Sequence, residues 1–148
     1  MVYYNVQGAT EAELRSSLDA LRPNAEDAYT AWRITWTWPQ DGTGICHLAD
    51  VTVSYLVTVT FPRWQPPETA PSTLIEKWVS YTRALADHEK GHVDFVVANV
   101  PVLIDSIHRA TCDTANLAAE AILDHIREDD LDYDLHTDHG ATQGARFP

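Results

Sequence analysis

From Tyr29 onward hydrophobic and polar positions alternate: Trp32, Ile34, Trp36 and Trp38 share one face, and Arg33, Thr35 and Thr37 the other. A period of two is that of a half-buried strand. After a loop at "PQDGTG", a longer alternation sets Val51, Val53, Tyr55, Val57, Val59 and Phe61 against Thr52, Ser54, Leu56, Thr58 and Thr60, so the two strands are expected to form a meander. Ahead of them, β-prone "VYYNV" leads to Thr10 and Glu13, a capping-box pair, with Leu14, Leu18 and Leu21 at helical spacing until Pro23 and Asn24. The proline-rich "FPRWQPPETAPS" cannot continue a sheet and marks the change of period.

Beyond it, Leu74, Trp78, Tyr81, Leu85, His88, His92 and Phe95 recur at three- and four-residue steps, predicting a helix over 72–108 that Pro101 kinks or divides. A second helix is expected over 113–127, with Leu117, Ala121 and Ile122 toward the core, closed by "REDDLDYD". The tail "YDLHTDHGATQGARFP" is polar and glycine-containing, which reads as an irregular loop. The expected architecture is α+β, one domain over 1–148, with a small antiparallel sheet packed against helices.

Composition narrows the functional classes. With 148 residues and 45% hydrophobic content, a core is within reach without an obligatory metal or disulfide. A formal net charge of -12 repels nucleic-acid backbones and anionic membranes, leaving small molecules, peptides or proteins as partners. No apolar run is long enough for a membrane span, so no membrane insertion is expected, and Met1 to Asn5 lack the basic-then-apolar order of a signal peptide. Cys46 and Cys112 have no C-x-x-C spacing; a long-range disulfide and two buried thiols both fit. The five tryptophans read first as core, and a substrate groove lined by some of them is the lesser alternative.

The chemistry is concentrated in "LADHEKGHVDF". One helical turn separates His88 from His92, so both imidazoles can reach one metal ion, while Glu89 points about 100° around the helix. Two histidines on zinc with an open solvent position, and a carboxylate beside them to take a proton from the activated water, make a hydrolytic centre. The bland alternative is a solvated charged helix. Leu85, Val93, Phe95 and Val96 around the motif speak against it, as does Gly91, whose place in a helix interior makes sense where another backbone packs closely.

A catalytic zinc usually has three protein ligands and water. The tail offers Tyr133, Asp134, His136, Asp138 and His139. His139 is the preferred third ligand, since imidazole suits zinc and Gly140 beside it permits close approach, and Asp134 is second. Tyr133 is a candidate to hydrogen-bond a developing oxyanion, with a packing role as its alternative. His47, His108 and His125 read as ordinary surface or core-edge residues.

In order, "YYNVQG", "WRITWTW", a cysteine-containing strand ending in "FPRW", "HEKGH" and Tyr133-Asp134-x-x-Thr137-x-His139-Gly140 resemble a bacterial family, domain of unknown function 922. Its members are described as predicted secreted zinc-dependent proteases. The resemblance covers nearly the whole chain. It implies a zincin-like peptidase with His88 and His92 on the metal and Glu89 as general base. It also implies a secreted or periplasmic protein, in which Cys46 and Cys112 would pair. The chain departs from the pattern in showing no export signal.

The function expected from these readings is hydrolysis of peptide bonds by zinc-activated water, with Glu89 as general base and a peptide or protein as substrate. Two alternatives stay open. One is a non-catalytic zinc-binding or interaction module closed by His88, His92, Asp134 and His139; the other is a metallohydrolase acting on a non-peptide amide or ester.

Overall fold

The computed structural model describes residues 1–148. Its elements are β1 (Val2–Val6), α1 (Glu11–Leu21), β2 (Tyr29–Thr37), β3 (Thr52–Trp64), α2 (Ser72–Arg109) and α3 (Ala115–Thr137). They form an α+β architecture with one three-stranded sheet in the order β1-β3-β2. The sheet is mixed, not antiparallel: β1 runs parallel to β3, from Val2 opposite Thr60 to Val6 opposite Trp64. The reason is the connection, because α1 and β2 intervene between the two strands and remove the constraint that a tight hairpin would impose.

β3 also continues through Pro62 to Trp64, although the proline-rich sequence there predicts the end of the sheet. Proline costs one ladder hydrogen bond. Against this, Phe61 and Trp64 bury their side chains, and the Trp64 indole N–H donates to Gly8 O at 3.0 Å.

The chain divides into two compact units interleaved in sequence. The first comprises 1–31, 58–92 and 133–148. Its core holds Val6, Leu14, Leu18, Phe61, Trp64, Leu74, Trp78, Tyr81 and Leu85, and the tail is anchored in it through Ala145 and Phe147. Thr10 caps α1 as its spacing predicts, its Oγ1 accepting from the Glu13 N–H at 3.2 Å. The Glu13 carboxylate reaches back one residue further than expected, to the Ala9 N–H at 2.7 Å.

The second unit comprises 32–57 and 93–132. Ile34 packs with Val96, Leu103, Ile107, Ala115, Ala119, Leu123 and Ile126, and Trp32, Trp36 and Trp38 border this cluster as the alternation in β2 predicts. Tyr55, in phase with the partly buried Val53 and Val57, is half exposed. Pro101 neither ends nor divides α2. A mid-helix proline costs ~3 kcal/mol, and the burial of Val96, Leu103 and Ile107 on one face of the continuous helix offsets it. In α3 the buried stripe is Ala115, Ala119, Leu123 and Ile126, whereas Leu117 is 74% exposed; the helix presents a phase different from the one expected. Cys46 and Cys112 form a disulfide. No helix is long and apolar enough to cross a membrane.

Candidate metal centre

The residues of the candidate centre all belong to the first unit. α2 supplies His88, Glu89 and His92, each at most 8% exposed. α3 supplies Tyr133 and Asp134, since it runs to Thr137 and not to about residue 127; the expected loop begins only after them. Its polar last turns persist because the end is well tied. Thr137 Oγ1 donates to Tyr133 O at 2.7 Å and accepts from the Gly140 N–H at 3.1 Å, and the His139 N–H reaches Asp134 O at 2.9 Å. Asp138, His139 and Gly140 then take left-handed conformations that reverse the chain.

The three side chains His88, His92 and Asp134 converge. His88 Nε2 and His92 Nε2 are 3.3 Å apart, and Asp134 Oδ1 lies 3.2 Å from the first and 3.1 Å from the second. Tetrahedral ligands held about 2.0–2.1 Å from an ion stand about 3.3–3.4 Å from one another. The donor set therefore fits a metal ion in spacing as well as in chemistry.

His88 is also placed for ligation. His88 Nδ1 lies 3.0 Å from Gln143 Oε1, an acceptor that can hold a proton on Nδ1, which would leave the Nε2 lone pair for a bound ion. The Tyr133 ring stacks on His88 with centroids 4.9 Å apart and planes 10° from parallel, and its hydroxyl accepts from Gln143 Nε2 at 3.0 Å. Gly91 admits that ring, and Gly140 lies against His88, where a Cβ would stand 2.8 Å from Cγ. The close neighbour that Gly91 allows is thus an aromatic side chain and not the second backbone that its place in the helix suggests.

Electrostatics separates the two carboxylates. Burial pushes Glu89 above the usual carboxylate range, although the Thr30 hydroxyl, donating to its Oε2 at 2.6 Å, and the nearby His92 and His88 oppose the shift. Asp134 is held well below that range: burial acts against ionisation, but hydrogen bonds to His88 and His92 outweigh it. Asp134 is thus favoured as an anionic ligand, and Glu89 as a group able to receive a proton.

His139, the preferred third ligand from sequence, falls outside the group formed by His88, His92 and Asp134. Its Nδ1 lies 3.7 Å from the other carboxylate oxygen of Asp134, Oδ2, and 3.6 Å from Glu26 Oε1. Asp134, the second choice, is the residue beside the histidines. Thr30, Gln143 and Glu26 also line the centre without any sequence motif to mark them. Thr30 is 59 positions from its partner Glu89, and no local pattern signals a contact at that distance.

A family model described as "Bacterial protein of unknown function (DUF922)" matches residues 1–140. The chain belongs to this family. The match takes in His88, Glu89, His92, Asp134 and His139, so the whole candidate centre lies within the family domain. No curated protein and no solved structure matches the chain.

Proposed function

We propose that this DUF922 member is a zinc-dependent peptidase of zincin-like architecture. The observation that carries the reading is the 3.1–3.3 Å convergence of His88 Nε2, His92 Nε2 and Asp134 Oδ1, with the buried Glu89 next to His88 on the same helix. Two imidazoles and one carboxylate are a donor set suited to zinc. When bound, the ion supplies Lewis acidity, acidifying a water and polarising a scissile carbonyl.

The protein's own groups do the rest. Asp134 contributes negative charge to the centre, and His88 is oriented through Gln143 and the Tyr133 ring. Glu89 takes the proton of the attacking water and returns it to the leaving amine, and its raised proton affinity suits both transfers. Tyr133 is the candidate donor to the oxyanion through its hydroxyl. The substrate is a peptide or protein.

The arrangement favours this reading over a closed structural site, because His139 faces Oδ2 of Asp134 and leaves three ligands in the group. The disulfide is compatible with an extracytoplasmic location, and we place the protein there. The test is cleavage of a peptide library by zinc-reconstituted protein and by Glu89→Gln. The expected outcome is cleavage by the parent and loss of turnover with zinc retained in the variant. No cleavage by the zinc-loaded parent, or undiminished activity of Glu89→Gln, overturns the reading.

A further inference from the structure

Asp134 has two carboxylate oxygens, and they face different groups. Oδ1 completes the trio with His88 and His92, while Oδ2 faces His139 Nδ1 at 3.7 Å. Glu26 Oε1 stands on the other side of the same imidazole nitrogen, at 3.6 Å. The ligand atoms of Glu26, Asp134 and His139 all lie within 4.8 Å of one another. We infer that these three residues form a second divalent-cation position, joined to the first through a bridging Asp134 carboxylate. The inference rests on reading His88, His92 and Asp134 as a metal centre.

Charge is the independent observation. The Glu26 and Asp134 side chains are only 35% and 23% exposed, yet the only basic groups paired with either are imidazoles. Arg15 and Arg22, which precede Glu26 in the chain, are committed to Asp19 and Asp27. Two partly buried carboxylates facing each other without lysine or arginine are costly unless one takes up a proton, the direction in which burial and Asp134 push Glu26, or a cation joins them.

The donor chemistry also fits. One imidazole and two carboxylates suit zinc, cobalt or manganese, and a carboxylate with one oxygen toward each ion is a natural link in two-metal hydrolytic sites. His139 is 63% exposed, which leaves solvent-side positions for water or substrate. Both outer ligands are set by unusual backbone: Asn24 and Ala25 before Glu26, and Asp138 and His139 itself, have positive φ without being glycine.

The experiment is metal stoichiometry, read independently of turnover. Metal-free protein is titrated with cobalt(II) and, separately, with zinc(II), following heat and visible absorption, and bound metal is counted after gel filtration. The parent is expected to take up two equivalents per chain. Glu26→Gln and His139→Ala, each checked by circular dichroism, are expected to keep one equivalent, and Asp134→Ala to lose both. Saturation of the parent at one equivalent with both ions overturns the second position, and so does retention of two equivalents in Glu26→Gln and His139→Ala. A parent that binds two ions and cleaves no peptide overturns the peptidase reading alone; one that cleaves with a single ion overturns the second position alone.

Discussion

A Cβ on Gly91 would stand 2.6 Å from the ring of Tyr133, so the smallest residue of the H-E-x-x-H segment exists to let a tyrosine lie against its first histidine. Alanine would favour the helix by about 1 kcal/mol, whereas a forced displacement of packed atoms costs about 1–3 kcal/mol. Gly91→Ala is therefore expected to gain no stability and to weaken zinc binding about tenfold by disturbing the orientation of His88. Competition titration with a chromogenic chelator measures it. A double-mutant cycle with Tyr133→Ala should recover most of the loss, and additive effects would refute the contact as the cause.

Asp134 and His139 should separate sharply at the tight zinc position. Asp134→Ala removes a direct ligand and is expected to lower zinc affinity more than ~100-fold, beyond the 10–100-fold typical of supporting residues. His139→Ala should leave the tight zinc within about tenfold of the parent. Equal losses in the two variants would return His139 to the first centre.

Thr30 orients Glu89 through a 2.6 Å hydrogen bond. Under the proposed function, Thr30→Val should retain zinc and lower kcat by about 10-fold or more, since a hydrogen bond to a charged group is worth ~1.5–3 kcal/mol. Thr30→Ser should restore most of it. Steady-state kinetics with zinc analysis tests this, and a change confined to KM would count against it.

Asp27 is the acid-sensitive post of the first unit. Arg15 donates to both of its oxygens at 2.6 and 2.7 Å, and the Tyr81 hydroxyl donates to Oδ2 at 2.7 Å. Burial alone would raise its pKa, but the hydrogen bonds from Arg15 and Tyr81 carry it below the ordinary 3.8. A depressed folded-state pKa contributes stability that is present above the unfolded value and lost as pH falls through the folded one. Asp27→Asn should cost about 2–3 kcal/mol at pH 7, somewhat under the figure for breaking a fully buried pair. The gap from the parent should close below pH 3.8. Urea denaturation at several pH values measures it, and a constant gap would show that the charge is not responsible.

The Cys46–Cys112 disulfide spans a sequence separation of 66. Chain-entropy reasoning assigns such a closure about 4 kcal/mol. Thermal melts of the Cys46→Ala/Cys112→Ala variant, or of the reduced protein, should show a markedly lower midpoint. An unchanged midpoint would mean that the second unit's core suffices.

Local signals were readable in the chain. The alternation in β2, the Thr10 cap of α1, and the buried stripe from Leu74 to His92 on α2 all follow from side-chain period and capping chemistry, which act over a few residues. His88, Glu89 and His92 share that legibility, because one helical turn relates them.

Tertiary structure decided the rest. The parallel pairing of β1 with β3, the passage of α2 through Pro101, and the helical conformation of Tyr133 and Asp134 each depend on burial or hydrogen bonds supplied by distant segments. Whether Asp134 or His139 joins the two histidines turned on helix phase. Keeping α3 helical to Thr137 points Asp134 at His88 and His92, and the left-handed reversal at Asp138 and His139 sets that imidazole on the far oxygen. Sequence alone determined which residue types the centre would draw on. The order in which they meet was settled by long-range packing, whose energy no local pattern encodes.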